Sequence, residues 1–472
     1  MQLTKTDFIQ YLRCPESVWL LKRYPDQYPR GEFGTFMQKL VREGYEVERY
    51  VQQFFESVGG RNVSFQADFT TDDGLYARVD ALENMSDGTT SLYEIKSSTS
   101  VKTDAKHNHI KDACFQKICA ERAGQKIDRV FIVHINGDYV RDGDIDWRAM
   151  LVFANITEAV NEILAETSAE IDAALAFLAI DHDMTGCSCA EKTRANHCDA
   201  FSVFNADVPI SSIYSLPRLR ANKIRELRSM NVLNLQDVPE DYSLSENQRL
   251  VLNSAKVGGP LVDKAAISNF LSDLTFPLYF FDYETFSSAV PIIDGISPHK
   301  HFPVQYSLHT LDSNGSLDHK EYLEREARLP DHLIERMQED IGPSGSIISW
   351  HKSFEQTRNR ELAERYPDKA DFLNNLNERM VDLEDVFKTD YVDARFDGST
   401  SIKKVLPVLC PSLDYKELDV QDGASAMEAW QRMVNAELDE AEKIVNDLLE
   451  YCERDTFAMV EIYRFLVGLI RQ

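Results

Sequence analysis

The sequence contains no apolar stretch of the length a bilayer requires, and its opening MQLTKTDFIQ lacks the hydrophobic run of a secretory leader. The expectation is a cytoplasmic protein with no membrane partner. Basic residues are in the minority: 51 Lys and Arg against 78 Asp and Glu leave a formal charge of −27. That balance excludes a broad cationic surface that coats nucleic acid by counterion release, while leaving room for a local basic groove. No GxxxxGK[ST] loop is present, so the chain cannot drive duplex unwinding by the P-loop route. Repeats of fixed period and low-complexity tracts are also missing. Cysteine is sparse, eight in 472 residues. In a reducing compartment disulfides are not expected, so any cysteines that group together point first to metal or cluster ligation.

What is there suffices for more than one core, since 472 residues exceed a single ordinary domain. Residues 1 to about 60 carry apolar positions at three- and four-residue spacing and predict helices; 63 to 100 predict strands. The segment IKDACFQKICAERAG (110–124) predicts an amphipathic helix, RVFIVHIN (129–136) a buried strand, and the run from ITEAVNEILA a long helix. That order fits an α/β domain over residues 1–204. Residues 205–275 change character, with short helical segments and five Lys or Arg between Arg218 and Arg228. They predict a helical connector, either a helix-hairpin-helix-like grip on a nucleic-acid backbone or a solvated basic face. From residue 276 strands return in FPLYFFDYETF, VQYSLHTLD, KEYLERE and SIISWHK, followed by helices to the end, which predicts a second α/β domain over 276–472.

The stretch YARVDALENMSDGTTSLYEIKSST (76–99) reads as two strands around a turn. A hairpin would gather Asp80, Glu94 and Lys96. Glu94 and Lys96 share a face by the two-residue alternation. Such a trio is either a cross-strand salt bridge or a phosphodiesterase site, in which carboxylates hold a divalent cation and the lysine orients water or neutralises phosphate. Here the chain resembles the RecB-like and Cas4-like branch of the PD-(D/E)XK nucleases. The resemblance implies a metal-ligating glutamate on the preceding helix, best matched by Glu48 among Glu43, Glu46 and Glu48. It also matches Gln116 to the branch's glutamine motif, although Ala120 stands where that motif has a tyrosine. Finally, it implies a cluster held by Cys14, Cys187, Cys189 and Cys198, with [4Fe-4S] as the expectation. The C-x-C-x8-C spacing departs from that branch and leaves structural zinc open, with His197 as a further ligand. The other four cysteines are expected to be buried thiols.

A second constellation lies in FFDYETF, where Asp282 and Glu284 share a strand face, and in YCERD, where Tyr451 and Asp455 share a helix face. Glu355, after the SIISWHK strand, falls at a strand-to-helix turn. Four such acids can hold two cations while a tyrosine orients the attacking water. This half resembles the DEDDy branch of the DnaQ-like 3′–5′ exonucleases, of ribonuclease H-like fold. The departure is in the middle motif, where His351 and Glu355 replace an asparagine and an aspartate and Asp382 and Asp385 are alternative ligands. The joined halves resemble an uncharacterised family of bacterial RecB-like nucleases. Together the resemblances imply an Mg²⁺- or Mn²⁺-dependent deoxyribonuclease acting on single strands or ends in repair or defence, with DNA and a helicase or other repair proteins as partners. A nucleic-acid-binding scaffold with inactive sites and an RNA-processing exonuclease stand as the other readings. Tyr11, Trp19, Tyr283 and Phe286 could stack on bases but are expected in cores, and His299 and His301 on a surface loop.

Overall fold

The structure, a computed structural model, describes residues 2–29, 35–104, 107–413, 415 and 418–471. It is a mixed α/β protein whose chain divides into two compact units, Met1–Asp207 with Ser288–Lys300, and Val208–Ser287 with His301–Gln472. Residues 205–275, expected as a separate connector, therefore group almost entirely with the C-terminal unit.

The first unit opens with β1 (Leu3–Thr4), α1 (Lys5–Arg13), α2 (Pro15–Arg23) and α3 (Thr35–Val58). A reciprocal capping box between Thr4 and Asp7 starts α1, and Pro15, whose missing N–H costs nothing at a first turn, starts α2. Next come β2 (Asn62–Thr70), β3 (Leu75–Asn84), β4 (Thr90–Ile95), α4 (His109–Arg122) and β5 (Arg129–Ile135). The unit closes with α5 (Trp147–Met150), β6 (Leu151–Asn155), α6 (Thr157–Ala179) and α7 (Phe201–Phe204). The sheet order is β1-β3-β4-β5-β6, with β2 antiparallel to β3 at its side. Strand β4 is buried at every position because it pairs antiparallel with β3 and parallel with β5 while both faces are covered. Apolar residues of α1, α2, α4 and α6 fill one face, with Phe8 stacked on Phe115 at 5.3 Å, and those of α3 fill the other. The N-terminal region, expected to be helical, begins with β1 because Leu3 and Thr4 pair with Leu75 and Tyr76. Two residues are too few for a periodicity to be read.

The second unit begins with α8 (Ala221–Ser229), α9 (Glu246–Val257), β7 (Leu261–Val262) and α10 (Lys264–Ser272). Strands β8 (Leu278–Phe286), β9 (Phe302–Leu311) and β10 (Leu317–Leu323) then lead to α11 (Asp331–Asp340), β11 (Ser346–Ser349), α12 (Ser353–Arg365), α13 (Ala370–Glu378) and β12 (Met380–Asp382). After α14 (Asp385–Thr389) and β13 (Tyr391–Val392) come α15 (Ile402–Leu409), α16 (Gly423–Asn435) and α17 (Leu438–Arg471). Five strands form one sheet, β10-β9-β8-β11-β12, with β8/β9 and β9/β10 antiparallel and β8/β11 and β11/β12 parallel. The sequence reading of helices alone after β11 is corrected here, since β12 and β13 intervene. Strand β12 is three residues long and takes its conformation from pairing with Ile347–Ser349 rather than from a pattern of its own.

Candidate functional site

The β3–β4 hairpin sets the first site. Ala81 pairs with Tyr93, which leaves Asp80 and Glu94 as cross-strand neighbours, and Asp80 Oδ2 accepts a hydrogen bond from the Ile95 N–H at 2.7 Å. Lys96 lies just past the strand end and reaches back, its Nζ 2.7 Å from Glu94 and 2.8 Å from Asp112 of α4. Gln116, also on α4, donates to the other Glu94 oxygen, and its own Oε1 is buried with no hydrogen-bond partner. Glu48 on α3 accepts from Gln66 at 3.0 Å, and both line an open cavity of about 510 Å³ with Asp80 and Gln116. Of the two alternative glutamates in the REGYEVERY stretch of α3, Glu43 is buried against Lys39, and neither Glu43 nor Glu46 lines this cavity.

One side chain went unread. Lys5, the first residue of α1, ion-pairs with Glu94 and lines the same cavity. The T-x-x-D capping box marks where α1 starts, but nothing local says which strand its first turn overlies. Burial holds the Asp80 carboxyl up at about 8, with the neighbouring Glu94 adding to the effect. Burial also works to raise Glu94, but Lys5 and then Lys96 overcome it and keep Glu94 below the usual carboxylate range. Lys96 is desolvated too, yet Glu94 and Asp112 hold it above the ordinary lysine value and hence charged.

In the second unit α17 packs on the sheet face to which β8 contributes its acids. Asp282 and Glu284 stand on one face of β8, Asp455 comes from α17, and one ligand atom from each lies within 4.8 Å of the others. Glu355, in the first turn of α12, is buried, and its Oε2 has no hydrogen-bond partner. All four carboxyls are pushed up by burial; repulsion from Asp455 and Glu284 adds to it at Asp282, and Glu355 lies at about 8. Tyr451, one helical turn before Asp455, is held up by burial and then by Asp455. Its hydroxyl lies 3.4 Å from Lys403 Nζ, and Tyr415 donates to Asp455 at 2.6 Å. Lys403 and Tyr415 belong to no motif and were not read from the sequence; Lys403 lies 5.5 Å from the Tyr415 ring and 5.3 Å from the Tyr451 ring. Asp382, at the end of β12, is engaged otherwise, accepting from the backbone N–H groups of His351, Lys352 and Glu384. Those bonds seat His351 at a positive φ of 65°, and its ring turns toward Glu384 at 3.3 Å.

The four cysteines 14, 187, 189 and 198 converge, their sulfurs within 4.8 Å of one another. Hydrogen bonds shared with Cys14, Cys189 and Cys198 pull the Cys187 thiol well below the ordinary cysteine value. His197 is not in this group: its ring stacks on Phe201 at 3.6 Å and its Nε2 lies 3.3 Å from the Lys192 carbonyl. Cys114, Cys119 and Cys452 are buried, Cys410 is half-buried, and Cys452 sits 4.0 Å from Asp282. Trp19, Tyr283 and Phe286 are core residues and Tyr11 is half-buried. His299 is exposed and bonded to the Ser97 carbonyl, whereas His301 packs beside Thr285 and Ser287.

Residues 279–401 match the model of a domain of unknown function, DUF2779. The uncharacterised protein MG366 of Mycoplasma genitalium is 30% identical over 220 residues, 41% of this chain and 32% of its own length. The uncharacterised protein UU173 of Ureaplasma parvum is 26% identical over 277 residues, 53% of this chain and 38% of that protein. The chain thus spans about a third of the length of these relatives. The crystal structure of SSO0001 overlays 36% of this chain and 76% of its own at 16% identity, with a TM-score of 0.22. No helix among the described residues is long and apolar enough to cross a membrane.

Proposed function

We propose that the protein is a metal-dependent nuclease that hydrolyses phosphodiester bonds of DNA, on single strands or at ends, with one site in each unit. The observation that carries this reading is the convergence of half-buried Asp282 with buried Glu284 and Asp455 within 4.8 Å. Three carboxylates crowded out of water repel one another and cost folding free energy, unless a cation compensates them. The orphaned oxygens of Glu355 and Gln116 fit the same need, each buried without a partner beside its acids. Asp282, Glu284, Glu355 and Asp455 would hold Mg²⁺ or Mn²⁺ in the second unit, and Glu48, Asp80 and Glu94 in the first. Such a cation supplies an acidified water and neutralises developing charge on phosphate. This chain's own part is to place Tyr451 against the attacking water and Lys96 against the phosphate. The hairpin with Asp80, Glu94 and Lys96 supports a PD-(D/E)XK fold for the first unit. The five-stranded mixed sheet, with acids on its central strand and on a late helix, supports a ribonuclease H-like fold for the second. For the four cysteines we propose a [4Fe-4S] cluster, with zinc as the other occupant the donor set would accept.

The test is digestion of end-labelled single-stranded and duplex DNA, and of matched RNA, with Mg²⁺ or Mn²⁺, using anaerobically purified protein. Lys96→Ala and Asp282→Ala should each remove a distinct product pattern, and the double variant should be inert. If all four proteins bind DNA and leave it intact, the deoxyribonuclease reading is wrong. Cleavage of RNA alone would then favour the RNA-processing reading, and no cleavage a scaffold.

A further inference from the structure

Beyond the acids of the second unit, the same sheet face continues outward to a group that no motif singled out. Asp282 pairs across β8/β9 with Ser307, Ser307 pairs across β9/β10 with Glu321, and His309 pairs with His319 one step along. These positions therefore share the face that α17 covers, displaced from the acids by one and two strands. Helix α17 adds Glu453. One ligand atom from each of His309, His319 and Glu453 lies within 4.8 Å of the others.

Each imidazole is held by a hydroxyl on one nitrogen. Thr456 Oγ1 lies 2.8 Å from His309 Nδ1 and Ser307 Oγ lies 2.9 Å from His319 Nε2, while the two hydroxyls are 2.7 Å apart. Neither hydroxyl engages Nε2 of His309 or Nδ1 of His319, and the latter faces Glu453 Oε1 at 3.8 Å. Fixing one ring nitrogen so that the other is presented is how metal-binding histidines are oriented. Glu321, which pairs with Ser307, lies near enough to His319 and Glu453 for their charges to act on it, and its Oε2 is shielded from water with no hydrogen-bond partner.

We infer that His309, His319 and Glu453 bind a transition-metal ion of the Zn²⁺ class, with water able to complete its coordination. Two imidazoles and carboxylate oxygens suit zinc, whereas magnesium takes oxygen donors and keeps its waters. The site is separate from the phosphodiester chemistry and stands whether or not Asp282 and Asp455 cleave nucleic acid. It would clamp α17, which carries Tyr451 and Asp455, to β9 and β10.

The experiment is equilibrium dialysis of the full chain against Zn²⁺ in millimolar Mg²⁺, paired with Co²⁺ absorption spectra. Wild type, Glu453→Gln, His319→Ala and Ser307→Ala are compared. Glu453 and His319 are partly exposed, and folding is checked by circular dichroism. Wild type is expected to hold about one Zn²⁺ more than His319→Ala, and Glu453→Gln to bind that ion at least tenfold more weakly. Ser307→Ala, which frees one ring, should weaken it by about 10- to 100-fold. In the cobalt spectra the loss should fall on ligand-field bands, with thiolate charge transfer from the cysteine group unchanged. Equal zinc content and affinity in wild type and folded Glu453→Gln overturns the site and leaves a hydrogen-bonded histidine pair.

Discussion

At the scale of the residue, the first site is a case of one charge answered twice. Glu94 is buried and touches Lys5, Lys96 and Gln116. Lys96 is also engaged by Asp112, while Lys5 has Glu94 as its partner. A cation entering beside Asp80 and Glu94 would take over the compensation Lys5 provides. Lys5→Met should therefore lower the stability of the metal-free protein by roughly 2 kcal/mol, because a buried carboxylate loses a partner. Added Mg²⁺ should restore more of the variant's thermal stability than it adds to wild type. An identical Mg²⁺ shift in both proteins, measured by thermal unfolding, would separate Lys5 from the cation's place. Tyr451 offers the matching case in the second unit. A phenol that orients an attacking water contributes on the order of 10²-fold or more, so Tyr451→Phe should lower kcat of Asp282-dependent cleavage by about that factor with KM little changed. Steady-state kinetics on labelled DNA read both; a rise in KM with kcat intact would make the tyrosine a binding group.

At the scale of the element, α4 ties the first site to a pH response. His109 is its first residue, buried, and its Nδ1 accepts a hydrogen bond from the Lys102 N–H at 3.1 Å. Burial and then the charge of Lys96 lower the folded-state value to about 4, below the roughly 6.5 of an unfolded histidine. Between those values the unfolded chain binds more protons than the folded one. The stability from the neutral ring is complete above about pH 6.5 and is lost progressively as pH falls toward 4, up to on the order of 2–3 kcal/mol. His109→Gln should flatten that part of the profile. Urea unfolding at pH 7 and pH 5 measures it, and equal slopes in the two proteins would remove His109 from the account. Elements also mark what could be read in advance. The β3–β4 hairpin was legible because two alternating runs flank a turn-forming NMSDGTT, in which Gly88 takes a φ of 81°. Alternation alone then sets Glu94 and Lys96 on one side. The motifs of β8 and α17 were legible for the same reason, spacing of two on a strand and four on a helix. Strand β12 was not, since three residues carry no period and the pairing partner is about thirty positions away. Lys5, Lys403 and Tyr415 were hidden because they reach their sites through tertiary packing, and the histidine pair because β9 and β10 make neighbours of residues that no spacing rule connects.

At the scale of the whole chain, the two constellations rest on different foundations. The acids of the second unit gather against a continuous sheet, two on β8 and one each on α12 and α17, whereas in the first unit sulfurs meet across the chain: Cys14, between α1 and α2, meets Cys187, Cys189 and Cys198 more than 170 positions later. Other side chains reach the same span, for Glu16 accepts from the backbone and hydroxyl of Ser188, and Trp19 Nε1 donates to the Ile180 carbonyl. A metal or cluster on the four thiolates, as proposed above, would add its binding free energy to the folding of this unit, because ends that distant are costly to bring together without it. The second unit gains nothing from that ligation. Cys14→Ser should therefore lower the melting temperature of the first unit by roughly 10 °C, the equivalent of about 3 kcal/mol in a unit of this size. Cleavage that depends on Asp282 should persist at the wild-type rate, while cleavage that depends on Lys96 fails as the first unit melts. Calorimetry combined with the product patterns of the two single variants tests both halves of the expectation. Loss of both activities at one temperature would mean that the sulfur site holds the entire chain rather than one unit.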